Sequence, residues 1–292
     1  MQALAAMETQ NVAGRHVDRW TAVCVNRQCE SGWLQLFRSR SCPRFEEKWA
    51  CSARCMEQIV ADVVRSRIES WEPGIGVRAL RMPLGLILLS RGWITRQELQ
   101  QALAAQRRAR DGRIGEWLGR LYGIQEATIA KALAIQWSCA VLPSGAAGVE
   151  FASSLVPAFL RRRYGLALLR QESGAAFYLA GKYSAEHAAA HAMEHMLGAP
   201  VQAAFLEDSA WSAAENDSAD SAEMYSGRDG VAAGICKLIE DARPADARLV
   251  RVHDYLWLRM WLRRDRRMQI RDAVFPLRTG LEAHQAEACS LE

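Results

Sequence analysis

Between Pro83 and Gln136 the chain states one pattern twice, and an internal repeat of this length restricts the possible folds more than any other feature. The first copy reads PLGLILLSRGWITRQELQQALAAQ and the second RIGEWLGRLYGIQEATIAKALAIQ. Aligned without a gap, they match Gly85 with Gly115, Leu88 with Leu118, Leu99 with Ile129, Ala102 with Ala132, Leu103 with Leu133 and Gln106 with Gln136. Gly92 and Gly123 are out of step by one position. Apolar residues recur at three and four, so each copy predicts a short helix, a glycine-containing turn and a longer helix. Thr95 and Glu98 have capping-box spacing at the start of the first long helix, whereas Gln125 is a poorer cap for the second. Two such hairpins bury their aliphatic faces against each other.

The chain has 292 residues, more than one compact domain usually needs. Its pattern divides into a Cys- and Trp-rich segment at 18–72, the tandem repeat at 78–140, a mixed segment at 141–212, a linker at 213–227 and an α/β remainder at 228–280. The expected class is α+β. Acidic and small polar residues fill the linker in place of core-forming aliphatics, and Pro73, Gly74 and Gly76 break the pattern near 72. Because both repeats and the following elements lie within 78–212, that span is expected to fold as one unit. The formal net charge is +4 and names no partner by itself. The first sixteen residues lack a secretory pattern, and no run is apolar enough to span a bilayer. The expectation is a soluble, cytoplasmic protein with no direct membrane insertion.

Five of the eight cysteines lie between Cys24 and Cys55. In a reducing compartment such clustering reads as metal binding rather than disulfides. Cys24 and Cys29 enclose four residues, Cys51 and Cys55 enclose three, and the second pair opens a helical run. Two close pairs about twenty residues apart can supply four thiolates to one tetrahedral zinc. The alternating GWLQLF between them predicts a short strand, giving the order knuckle, strand, helix of a treble-clef or zinc-ribbon module. Cys42 is an alternative ligand, and buried free cysteines in a small aromatic core are the competing reading. A zinc held by four thiolates is structural, because no position stays open for a substrate.

A leucine-glycine opening, a glycine before an aliphatic and then L-x-x-A-L-x-x-Q, given twice with Ile129 for the first leucine in the second copy, resembles the N-terminal domain of type II secretion and type IV pilus ATPases. The stretch that follows supports the resemblance: a helix near Leu155 to Arg163, strands at Leu166 to Arg170 and Ala175 to Ala180, and a helix from Ala185 to Leu197 stopped by Gly198. It covers roughly residues 78–212. In some members the doubled motif binds cyclic di-GMP, which implies contacts from Gly85 and Gln106 in the first copy and from Arg113, Gly115 and Gln136 in the second. Pro83 stands where the first copy's arginine is expected, with Arg81 two residues upstream. The competing reading is that these glycines and leucines only pack helices.

Past the linker the sequence predicts an amphipathic helix and two strands, RLVRVH and YLWLRMWLRR. Leu256, Leu258, Met260 and Leu262 alternate with Trp257, Arg259, Trp261 and Arg263, so one face is expected on a core and the other partly wet. This region is similar to the opening of the next domain of the same ATPases, as if the chain ended before their motor.

Chemistry is otherwise hard to find. The segment Gly174 to Lys182 ends in Gly-Lys but lacks the spacing and hydroxyl of a phosphate-binding loop, so ATP hydrolysis is not expected. His187, His191 and His195 recur every four residues without the glutamate of a zinc-protease motif, and read as a solvated stripe. The basic runs Arg38 to Arg44 and Arg263 to Arg267 are short, making nucleic acid an unlikely partner. The function expected is a non-catalytic adaptor or regulator contacting proteins of a secretion, pilus or envelope-associated system. The alternatives are a cyclic di-GMP sensor and a nucleic-acid binder acting through the zinc module.

Overall fold

The computed structural model describes residues 24–30, 43–70, 81–142, 149–171, 176–182, 185–206, 211, 222–225, 230–264 and 267–277. Helices combined with mostly antiparallel strands make the protein α+β. The chain divides into two compact units, one comprising Met1–Trp71, Met196–Gly198 and Ser221–Glu292, the other Glu72–His195 and Ala199–Asp220. None of the described helices is long and apolar enough to cross a membrane.

The first unit joins the cysteine-bearing segment to the C-terminal sheet. It holds β1 (Arg44–Phe45), β2 (Lys48–Trp49) and α1 (Ala53–Glu69) from the first part of the chain. In the second unit lie α2 (Leu84–Ser90), α3 (Arg96–Ala109), α4 (Ile114–Tyr122) and α5 (Glu126–Trp137), the four repeat helices. They are followed by β3 (Ala140–Leu142), β4 (Val149–Phe151), α6 (Ala158–Tyr164), β5 (Leu166–Gln171), β6 (Phe177–Gly181), α7 (His187–Leu197), whose last two residues are assigned to the first unit, and β7 (Val201–Leu206). The chain then returns to the first unit with β8 (Glu223–Met224), α8 (Val231–Ala242), β9 (Asp246–Val252), β10 (Tyr255–Arg264) and β11 (Arg267–Pro276).

One core serves both parts of the first unit. Met56, Ile59, Val60 and Val64 of α1 and Ile235, Leu238 and Ile239 of α8 meet Leu249, Leu256, Leu258, Met260 and Phe275 on one face of the sheet β8-β11-β10-β9. The sequence divisions separate 18–72 from 228–280; in the structure the two segments share this core. The reason is local as well as apolar. At the β1–β2 turn Glu46 and Glu47 both adopt positive φ, 55° and 61°, which L-residues rarely do. Their conformation is held from β9: the Glu46 N–H donates to Ala247 O at 2.7 Å, and Leu249 N–H donates to the Glu46 carboxylate at 2.7 Å. Arg248 Nη2 donates to the Glu47 carboxylate at 2.8 Å, and Arg67 Nε donates to Leu249 O at 3.1 Å.

Two expectations need correction here. The face carrying Trp257, Arg259 and Trp261 is buried, not partly wet, and only Arg263 beyond them is exposed. Arg259 is 1% exposed because Asp272 on β11 neutralises it through a two-point bond, Nε to Oδ1 at 2.9 Å and Nη2 to Oδ2 at 2.8 Å. Trp257 Nε1 donates to the same carboxylate at 2.9 Å, so the charged pair is hydrogen-bonded as burial requires. The second correction is β11 itself, a ten-residue strand whose alternating charges hid it from the sequence reading. Part of the expected linker also differs, since Glu223 and Met224 pair in parallel with β11.

In the second unit the repeat helices bury Ile87, Leu88, Ile94, Ala102, Leu118 and Ala132 between them. The sheet β3-β7-β6-β5-β4 follows, antiparallel at β4-β5-β6 and parallel at β6-β7-β3. The helix expected at Leu155 to Arg163 is split, with a 3-10 turn over Ser153–Leu155 before Pro157 caps α6. Gly198 ends α7 at φ +66°, the left-handed geometry a glycine stop supplies.

Asp246 yields a pH prediction. Its burial on β9 pushes the carboxyl up to about 6, against the opposing pull of Arg248 and the Glu47 backbone and with Glu47 adding to the rise. The folded value lies above the ordinary 3.8, so ionising Asp246 opposes folding. Its contribution is fully present below that ordinary value and is lost as pH rises through about 6. Asp246→Asn keeps an acceptor for the Glu47 N–H, which reaches Asp246 Oδ1 at 3.3 Å. Thermal melts should show the variant gaining on the parent as pH rises from about 4 to about 6, with the difference level above that; an offset that does not change with pH would refute the assignment.

Candidate metal centre and the repeat motif

Cys24, Cys29, Cys51 and Cys55 bring their Sγ atoms within 4.8 Å of one another. Cys24, Cys51 and Cys55 are buried and Cys29 is partly so. Sulfur separations of 3.4 Å for Cys29 and Cys51 and 3.7 Å for Cys51 and Cys55 sit near the roughly 3.8 Å edge of a tetrahedron with metal–sulfur bonds of about 2.3 Å. The donor set therefore fits a single soft or borderline cation. Among the described residues no other group of three or more His, Cys, Asp or Glu side chains converges in this way, and the histidine stripe on α7 is not such a group. Cys42 lies outside the described residues, as does the strand expected at GWLQLF.

Local chemistry explains how the four are brought together. The first pair sits on a knuckle in which Cys29 N–H donates to Asn26 O at 3.1 Å and Gln28 N–H to Asn26 Oδ1 at 3.0 Å. Asn26 donates to Gln58 of α1, which donates back to Gln28 at 3.2 Å. Val25 N–H donates to Trp49 O at 3.2 Å, aligning the knuckle with β2. Ser52 caps α1 by accepting from Cys55 N–H at 3.2 Å, so Cys51 and Cys55 straddle the helix N-terminus, whose dipole favours thiolates. Burial pushes the Cys24 thiol up to about 12; a bound cation's charge reverses that preference.

The residues implicated in nucleotide contact occupy a second, regular arrangement. A Cβ on Gly85 would stand 2.6 Å from Leu99 Cδ1, and one on Gly115 would stand 3.0 Å from Ile129 Cγ2. These are the same pair of repeat positions in each copy. Gln106 Nε2 donates to Gly112 O at 2.9 Å and Gln136 Nε2 donates to Met82 O at 2.8 Å. Met82 and Gly112 are themselves equivalent, each standing just ahead of its copy's opening. Each copy's last glutamine thus holds the entry of the other copy.

Arg113 is exposed at the N-cap of α4, its N–H directed to the Glu116 carboxylate at 3.4 Å. Arg81 lies over the Trp137 ring, 3.4 Å from its centroid. The glycines and glutamines therefore all have packing or hydrogen-bonding roles inside the repeat. The reciprocal glutamine bonds were not read from the sequence, although the identical spacing of Gln106 and Gln136 from each copy's opening is the signal that marks them. The docking glutamates at 46 and 47 carried no such signal, because the common Asn-Gly chemistry of a tight hairpin is missing.

No protein-family model and no curated protein matches the chain. A solved structure described as "Structure of MshE with cdg" matches with a TM-score of 0.35 and 24% sequence identity, covering 46% of this chain and 96% of that one.

Two measurements check this geometry. Purified protein should carry about one equivalent of zinc, and Cys51→Ser should lose it along with stability; less than roughly half an equivalent with normal folding of the variant would remove the metal. Gly85→Ala, whose Cβ would stand 2.6 Å from Leu99 Cδ1, should cost about 1 kcal/mol by overpacking, net of the helix propensity it gains. Leu99→Ala combined with Gly85→Ala should recover part of the loss in a double-mutant cycle, and an uncoupled pair would contradict the contact.

Proposed function

We propose that the protein is a non-catalytic adaptor or regulator of the kind implied by its resemblance to the N-terminal domain of secretion and pilus ATPases. The repeat unit is its contact surface, and a structural zinc braces the first unit. Cys24, Cys29, Cys51 and Cys55 would hold that ion, which supplies a four-point cross-link and no reactive chemistry. The partners proposed are proteins of a secretion, pilus or envelope-associated system, met in the cytoplasm.

The observation that carries the reading is an asymmetry within the repeat. Met82, Leu86 and Ile135 are large, apolar and exposed. Their counterparts in the other copy are Gly112, Glu116 and Ala105. Since both copies fold alike, the fold does not require aliphatic side chains at these positions, and their exposure around the Gln136–Met82 contact suits a protein interface. A cyclic di-GMP sensor is the rival. It gains from the exposed Arg113 beside Gly115, but it must work with glutamines already bonded to backbone carbonyls.

Leu86→Glu installs the residue that the second copy carries at the same place, so it should fold with an unchanged melting temperature. It should lose the secretion, pilus or envelope-associated proteins that the parent recovers from a bacterial lysate. If the parent recovers none, or the variant recovers the same set, the adaptor reading fails. Calorimetric titration with cyclic di-GMP should give no heat; saturable binding in the micromolar range or tighter would replace the adaptor by the sensor.

A further inference from the structure

Part of the outer edge of the C-terminal sheet is covered by a short strand of the same chain. Strand β8 is two residues long, lies within a stretch whose sequence is otherwise poor in large aliphatics, and pairs in parallel with Ala273 and Val274 of β11. Tyr225 N–H continues the ladder to Val274 O at 3.0 Å. Two side chains give the contact its specificity. Arg271 Nη2 donates to both Glu223 carboxylate oxygens, at 3.0 Å and 2.8 Å, and to the Tyr225 hydroxyl at 3.1 Å. The Tyr225 ring stacks on Phe275 at 5.4 Å between centroids, with 23° between planes. The edge thus contacts Glu223 and Tyr225 through their side chains and leaves Met224 between them exposed.

We propose that this edge is a docking site for an extended partner segment of the form acidic-x-tyrosine, and that Glu223–Tyr225 is the chain's own tethered occupant, exchangeable with that segment. Strand addition of this kind takes affinity from main-chain bonds and specificity from alternate side chains. Three features make the occupant exchangeable. It contributes two residues to a sheet whose other members have seven to ten. Its ion pair is half exposed, with side-chain exposures of 34% for Arg271 and 50% for Glu223, and such pairs hold weakly. Among the described residues no strand pairs with the outer edge of β11 from Arg267 to Asp272, so an incoming segment has more ladder to gain than β8 uses. The Arg271 guanidinium keeps the Glu223 carboxyl below its ordinary range, so the recognition charge persists at neutral pH. The proposal depends on neither the zinc nor the repeat, and it stands or falls separately from the function proposed above.

The test uses the full chain and a labelled synthetic peptide of sequence SAEMYSG, its own residues 221–227. Glu223→Ala with Tyr225→Ala empties the site, and fluorescence anisotropy measures peptide binding. The emptied protein should bind saturably and roughly tenfold or more tighter than the parent, whose tethered copy competes at high effective concentration. Adding Arg271→Ala to the emptied protein should weaken binding about threefold to fivefold, the range a half-exposed ion pair contributes. Absence of saturable binding by a well-folded emptied variant overturns the proposal, as does binding indifferent to Arg271. Failure of the emptied variant to fold also overturns it, because β8 would then be an integral strand.

Discussion

Two consecutive left-handed glutamates hold the first unit together. Positive φ at a non-glycine residue costs on the order of 1–3 kcal/mol, and the β1–β2 turn takes that cost twice. What offsets it lies about two hundred residues away in sequence. The edge of β9 gives and receives backbone bonds at Glu46, and Arg248 holds the Glu47 carboxylate. The turn conformation is therefore a tertiary product, and the hairpin that positions Cys51 depends on a strand near the far end of the chain. That dependence explains why the cysteine segment and the C-terminal sheet form one core.

The repeat shows the opposite arrangement, in which everything needed is local. Gly85 and Gly115 are small because Leu99 and Ile129 lie against them, and Gln106 and Gln136 each satisfy a carbonyl that stands outside the opposite copy's first helix. Residues that resemble ligand contacts thus have structural work that would be needed without any ligand. Such double use limits what a motif says about binding: the same glycines and glutamines are required whether or not a nucleotide is ever held.

This contrast also explains how much was legible in advance. The four repeat helices, the Thr95–Glu98 cap and the set of four cysteines follow from spacing alone, because periodicity, capping and ligand chemistry act over a few residues, whereas the paired strands after Gly165 were read through the family resemblance. The hairpin at Arg44–Trp49, strand β11 and the burial of Arg259 did not follow. Each depends on a partner far along the chain: β9 for the Glu46–Glu47 turn, β10 for β11, and Asp272 for Arg259. Alternation correctly gave the two faces of β10, but polarity misjudged which face was wet, since a charge matched by a two-point acceptor can be buried while its sequence still reads as solvent-facing.

The placement of the cysteines bears on what a cation there would stabilise. Cys51 and Cys55 belong to a hairpin and helix already fixed by β9 and by the shared core. The described knuckle, residues 24–30, places only Cys24 and Cys29 against that core, with Asn26 and Gln28 tied to Gln58 by side-chain bonds near the surface. A segment so short of apolar contacts has little of its own to order it. Binding free energy at a four-thiolate site is expressed as folding free energy wherever the ligands are otherwise least held. Here that is the knuckle first and the α1 N-terminus second, while the five-stranded sheet and the repeat in the other unit draw on apolar cores of their own.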